Sequence, residues 1–298
     1  MAKRLILFVA TNIAILLMVS IVLGILGSLG LANFAGNQTS LLVLCAVWGF
    51  GASFVSLLLS RQMAKWTLGV KLVDGRTGRA DLDWLYSTVG HLTQQANLPM
   101  PEVGVYSSPE LNAFATGPSK KRSLVAVSSG LLERMDRQEI EGVLGHEVTH
   151  IANGDMVTMT LIQGVVNAFV LYLSHVVAAI VRSALSGDRD RGSSGLGGII
   201  SFLVFIAAQI VFGLIGSMVT AWFSRAREFR ADAGGASLAG RTSMIAALRR
   251  LQANTQVDPR HPEMATLKIS DSRRGFMALL ATHPPLEVRI AALESFVG

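Results

Sequence analysis

His146-Glu147-Val148-Thr149-His150 places two imidazoles four residues apart with a carboxylate beside the first. On a helix that spacing is about one turn, so both rings leave the same face and can reach a single cation. Imidazole pairs of this kind suit zinc, one ion per chain. Glu147 is adjacent to the ligands and free of them. It is placed to take the proton of a water whose pKa such a metal lowers to about 7, as that water attacks a peptide carbonyl. The competing reading is two histidines satisfied on an ordinary helix.

A catalytic zinc takes a third protein ligand and keeps one position open. Downstream, Glu228-Phe229-Arg230-Ala231-Asp232 offers two acids at helical spacing on one face. Glu228 can bind the metal while Asp232 holds the free nitrogen of a ligand imidazole. Alternatively the two acids pair with Arg225, Arg227 or Arg230 at a membrane surface.

Something must bring residues 82 positions apart onto one ion, and the composition says what. Of the 298 residues, 51% are hydrophobic and only 15% charged. That is too apolar for an ordinary soluble domain of this size and points to a membrane protein. Residues 5–31 and 41–59 are nearly free of charge, and each exceeds the roughly 20 helical residues that cross a hydrocarbon core. The first is too long for a cleaved signal core and is expected to be an anchor. Two more runs, 156–181 and 199–223, flank a Gly/Ser/Asp/Arg loop at 186–198, which makes four spans. Gln163, Asn167, His175 and Gln209 within these later runs are expected to act as polar contacts between helices. His150 lies just before the third run and Glu228 just after the fourth, so two antiparallel spans would return both to one membrane face.

The net charge of +6 comes with no stretch of Lys and Arg interleaved with aromatics, which argues against nucleic acid. The basic residues instead flank the apolar runs. Lys3, Arg4, Arg61, Lys65, Lys71, Arg225, Arg227 and Arg230 fall on one side, and Arg182, Arg189 and Arg191 on the other. Both termini and the site are therefore expected on the cytoplasmic side. The single cysteine, Cys45, permits no internal disulfide and reads as a small buried or lipid-facing hydrophobe.

The expected fold is mainly α with a small β-sheet, an integral membrane protein of about four transmembrane helices carrying a cytoplasmic zinc-protease domain. Its divisions are 1–60, an N-terminal hairpin; 61–155, the sheet and the His-Glu helix; 156–223, a second hairpin; and 224–298, the third ligand and C-terminal helices. Leu82, Leu85, Val89, Leu92 and Ala96 mark a helix that leaves His91 off its apolar face. Short strands are expected at 103–106, 111–115 and 124–127, with helices from Arg137, around 243–251, and after Pro284-Pro285.

Together, the hydrophobic N-terminal hairpin, the motif continuing as Ile151-Ala152-Asn153-Gly154-Asp155, two further spans and Ser224-Arg225-Ala226-Arg227-Glu228-Phe229-Arg230-Ala231-Asp232 resemble the HtpX family of bacterial membrane gluzincin peptidases. Asn112-Ala113-Phe114-Ala115-Thr116-Gly117 and Thr282-His283-Pro284-Pro285 resemble segments of the same family. The resemblance implies a heat-shock-type quality-control protease of the inner membrane that cuts misfolded or damaged membrane proteins. It implies His146, His150 and Glu228 as zinc ligands and Glu147 as the catalytic acid and base. It also implies an edge strand that pairs with extended substrate, which falls here on Asn112, Ala113, Phe114 and Ala115. As plain sequence that stretch is equally a short core strand. His283 can donate to an oxyanion, or simply cap the following helix.

Two alternatives remain. A CAAX-type prenyl endopeptidase uses a similar motif with more spans around a chamber. A non-catalytic membrane protein with a structural zinc needs a closed four-ligand shell, which neither cysteine nor a well-spaced further histidine supplies. Substrates, cleavage preference and oligomeric state have no signature in the sequence.

Overall fold

The structure is a computed structural model that describes residues 38–185, 194–257 and 279–295. The expected first anchor at 5–31 lies outside the described residues, as does most of the 186–198 loop. The described chain packs as two compact units. One contains 57–158 and the described residues from 221 onward; the other contains those up to 56 and from 159 to 220.

In the first unit a four-stranded sheet is built from β1 (Lys71–Val73), β2 (Glu102–Tyr106), β3 (Ala113–Ser119) and β4 (Arg122–Ser128), in the order β1-β2-β4-β3. β2 and β4 run parallel and the other two pairs are antiparallel. The three expected strands are present. β1 was missed because three residues carry no measurable alternation.

Alternation on β2 and β4 sends Val103, Val125 and Val127 to one face, where they meet Leu85, Val89 and Leu92 of α2 (Ala80–Gln95). They also meet Ile140, Val143, Leu144, Val148 and Ile151 of α4 (Arg137–Asn153) in one core. Leu124, Ala126 and Tyr106 point to the opposite face with Phe114. His91 is exposed, as its position off the apolar stripe of α2 requires.

The site helix α4 has well-defined ends. Asp136 and Glu139 form a reciprocal capping box at its start, each carboxylate accepting the other residue's backbone N–H. Gly154 ends it with a left-handed φ of 69°, a conformation that costs glycine little. Between β4 and α4 lies the short helix α3 (Ser129–Arg134), capped by Ser128.

Among the described residues, three long helices carry the apolar sequence: α1 (Gln38–Leu68), α5 (Asp155–Leu185) and α6 (Ser194–Ala239). All three are long and apolar enough to cross a membrane. The second unit, formed by their apolar lengths, is inverted relative to a soluble core. Large side chains such as Phe202, Ile206 and Ile210 face outward, while Ser53, Ala168, Ser174, Ala178, Ser201 and Ala208 are buried. Small residues let helix backbones approach, as expected where lipid is the solvent. Gly49 lies against the backbone of Ala168, where a β-carbon would come within 2.5 Å of its nitrogen. Asn167 donates to the Ser53 hydroxyl at 3.5 Å across two helices, and the His175 and Phe205 rings are 4.6 Å apart. Gln163 instead bonds Asn167 on its own helix at 2.8 Å.

The last elements are α7 (Arg241–Val257) and α8 (Leu286–Ser295), which begins directly after Pro284-Pro285. α7 packs on α4 so closely that a β-carbon on Gly142 would strike the Ser243 carbonyl. α8 docks on α7 through Leu293 and Ile290 against Met244 and Leu248.

Candidate active site

Three helices converge on a buried polar cluster. α4 supplies His146 and His150 from one face, as the four-residue spacing requires. α6 supplies Glu228 and Asp232, and α8 supplies Arg289, while His283 comes from the segment just before α8. Close packing sets the approach of α6 to α4. A β-carbon on Gly235 would lie 2.9 Å from the His146 backbone nitrogen, so only glycine lets the two helices come this near.

The Nε2 atoms of His146 and His150 are 3.0 Å apart. Glu228 Oε2 lies 3.5 Å from His146 Nε2, and Glu228 Oε1 lies 3.5 Å from His150 Nε2. A tetrahedral cation with ligand distances of about 2.0–2.1 Å separates neighbouring ligand atoms by about 3.3–3.4 Å. The two imidazole nitrogens and the Glu228 carboxylate, whose two oxygens each face one ring, lie close to that spacing, with one ligand atom from each residue within 4.8 Å of the others. Glu228 is 0% exposed, and its Oε1 is buried without a hydrogen bond. An ionised carboxylate oxygen in that situation is costly unless a cation meets it. The donor set is thus suited to a metal on both spacing and electrostatics.

The outer nitrogens of both imidazoles meet carboxylates. His146 Nδ1 is 2.9 Å from Asp232 Oδ1, at an angle that leaves it without a well-aligned hydrogen bond. His150 Nδ1 is 2.6 Å from Asp155 Oδ2. Burial pushes the His150 imidazole towards its neutral form, but Asp155 and then Glu228 outweigh it and raise its pKa from 6.5 to about 9. His146 is also raised, with burial opposed by Asp232 and Glu228. Glu228 is held far below the carboxylate range, because His146, His150 and His283 overcome its burial. Asp232 is lowered likewise, with Arg289 and then His146 overcoming burial.

The sequence-derived residues fall as follows. His146, His150, Glu228 and Asp232 come together, and Glu147 sits on the same turn of α4. The alternative pairing of the acids with neighbouring arginines is met only in part, since Arg227 Nε stands 3.8 Å from Glu228 Oε1 without hydrogen-bonding it. His283 is 62% exposed, and its Nδ1 lies 2.9 Å from Glu228 Oε2. Ala113, Phe114 and Ala115 open β3, the edge strand, in register with Val127, Ala126 and Val125 of β4. Asn112 precedes them and is fixed by Ser128, whose hydroxyl accepts its backbone N–H at 3.1 Å and donates to the Glu110 carbonyl at 2.6 Å.

Two participants were missed. Asp155 had a faint signal, an acid just past a helix-ending glycine, where the turn carries it back to the preceding His150. Arg289 had none, because its partner is 57 residues away.

Comparison with known proteins agrees with this geometry. Residues 80–297 match Peptidase family M48. The Protease HtpX of Shewanella loihica is 50% identical over 294 residues, covering 98% of this chain and 99% of that one. The Protease HtpX of Stenotrophomonas maltophilia (strain K279a) is 48% identical over 295 residues, 99% of each chain. The crystal structure of S. mikatae Ste24p shares the fold, with a TM-score of 0.70 at 20% identity over 99% of this chain and 65% of that one. A family match across the site-bearing segments and near full-length identity of this order place the chain among the HtpX proteases of peptidase family M48, membrane metalloproteases.

Proposed function

We propose that this protein is a zinc endopeptidase of the bacterial inner membrane, multi-pass, with both termini and the active site cytoplasmic, that cuts misfolded or damaged membrane proteins under stress. The observation that carries this reading is the convergence of His146 Nε2 and His150 Nε2, 3.0 Å apart, each 3.5 Å from an oxygen of the fully buried Glu228. Two imidazoles and one carboxylate are a zinc set with room for a fourth position.

Bound there, zinc would polarise the scissile carbonyl and lower the pKa of a water to about 7. Glu147, beside the ligands and not needed as one, takes the proton from the attacking water and returns it to the leaving amine. The outer edge of β3, from Asn112 to Ala115, aligns an extended chain by backbone hydrogen bonds, which suits unfolded substrates of any sequence. His283, largely exposed beside Glu228, donates to the developing oxyanion. Asp232 and Asp155 hold the rings of His146 and His150. The excess of Lys and Arg on one side of the apolar runs supports the cytoplasmic placement.

The test is cleavage of an unfolded protein by the detergent-purified chain, kept with a chelator during purification and then given zinc. Zinc-dependent cutting by wild type, reduced by roughly 10²–10⁴-fold in Glu147→Gln while zinc stays bound, is the expected result. Equal cutting by both would assign the activity to a contaminant. Silence from both with zinc bound would leave a non-catalytic metal protein.

A further inference from the structure

Arg289 is the most deeply buried cation described in this protein, only 6% exposed, on the short C-terminal helix α8. It does not bind the metal positions and has no place in the proton transfers above. Its Nε donates to Asp232 Oδ2 at 2.7 Å and its Nη2 to Asp232 Oδ1 at 2.6 Å, a two-pronged fork. The same Oδ1 contacts His146 Nδ1. Its Nη1 stands 3.5 Å from Glu228 Oε2. One guanidinium therefore touches both acids that α6 contributes.

Resting on the metalloprotease reading above, we propose that Arg289 is a positioning residue of the metal site: it fixes the Asp232 carboxylate and, through it, the ring of His146. A carboxylate at the outer nitrogen of a ligand histidine sets that ring's tautomer and direction. Asp232 can do so only if its own rotamer is fixed, and a planar bidentate fork fixes a carboxylate better than a single point charge. Arg289 is itself held rigid, because the neighbouring Ile290 and Leu293 are buried against Met244 and Leu248 of α7. The contact at Glu228 adds a second effect, a positive charge that favours the position the ligand carboxylate takes. Docking of α8 is thereby coupled to the affinity of a site whose ligands all lie on other helices.

The experiment uses the full chain in detergent, with Glu147→Gln present throughout to prevent self-cleavage. Zinc dissociation constants are measured by competition with a chromogenic chelator, and the cobalt form is followed by its visible absorption. Arg289→Met should weaken zinc binding about 10- to 100-fold and shift the cobalt spectrum. Arg289→Lys should recover only part of the loss, since lysine lacks the fork. In an Asp232→Asn background, Arg289→Met should cost no more than about a further 2-fold, because the two act as one unit. Arg249→Ala, which breaks an exposed pair with Glu294 on the same α8, should leave the affinity unchanged.

A purely structural salt bridge gives a different pattern. Zinc affinity within about 3-fold of the parent in folded Arg289→Met, or losses that add across the cycle, would overturn the proposal. Should Arg289→Met not fold, Arg289→Lys closes the same cycle against Asp232→Asn and is judged by the same rule. A parent protein that binds no zinc would overturn the metal reading and this one together, whereas a zinc-binding parent matched by its Arg289 variants would overturn this one alone.

Discussion

The two halves of α6 obey opposite rules about what is hidden. From Ile199 to Ile215 most large side chains face outward and the two buried residues, Ser201 and Ala208, are small. From Ala221 onward the buried positions include Glu228 and Asp232, with no more than 2% exposure. No helix break separates the halves. Helix propensity and backbone hydrogen bonding are therefore indifferent to the change, and only the surroundings differ. Lipid rewards outward apolar side chains and close backbone contact. The site half can hide ionised acids because each meets a cation or an imidazole, which is the condition for burying charge at all.

Removing that compensation is the strongest way to break the contrast. Asp232→Ala leaves the buried Arg289 guanidinium without its principal partner, and loss of one member of a buried pair costs about 3–5 kcal/mol. Chemical denaturation in detergent should show a midpoint lowered accordingly, with zinc content falling alongside. An unchanged midpoint would mean that the pair is wetter than its 2.6 Å and 2.7 Å contacts indicate.

The apolar half gives the next largest effect. Ile210 is 61% exposed in mid-run, so Ile210→Arg would be harmless in water but should cost about 2.5–3.5 kcal/mol in a bilayer. The yield of membrane-inserted protein, measured against Ile210→Leu, checks it. Equal yields would show that this face meets protein or water instead of lipid.

A smaller effect comes from the spacing between helices. Gly235→Ala pushes a methyl group onto the His146 backbone, an overpacking cost of about 1–3 kcal/mol. Zinc affinity should fall with little change in secondary structure by circular dichroism. Retained affinity would mean that α4 and α6 can separate without moving the ligands.

The gentlest probe is pH on the chelator-treated protein. A raised histidine pKa stabilises the folded state fully below the unfolded value of 6.5 and loses that contribution as pH rises through about 9. Glu228 and Asp232, both lowered, stay ionised throughout this window and add no slope. The metal-free protein should thus melt at lower temperature at pH 9.5 than at pH 6, whereas zinc affinity should rise over the same range as protons leave His146 and His150. A melting temperature that rises with pH would indicate that neither imidazole is protonated in the metal-free fold.

Much of this organisation was readable from local pattern. The apolar runs, the helical spacing of His146 and His150 and the strands expected at 103–106, 111–115 and 124–127 are all set by neighbours within a few residues. Even Glu228 and Asp232 stood out, because two acids one turn apart after a span have a periodicity to notice. β1, at three residues, was too short to show alternation. The start of α6 at Ser194 was hidden by a glycine-rich stretch that reads as loop until helix packing is known.

Sequence by itself determined that this chain would be apolar enough for a membrane, would carry two imidazoles on one helix face with a carboxylate beside the first, and would supply paired acids downstream. These depend on side-chain chemistry and on the fixed periods of helix and strand. Only the tertiary structure decided that Gly235 lets α6 approach His146, that the turn at Gly154 returns Asp155 to His150, and that Arg289 closes on Asp232 from 57 residues away. Such contacts follow from how whole helices dock, and no spacing rule along the chain encodes the distance between two helices.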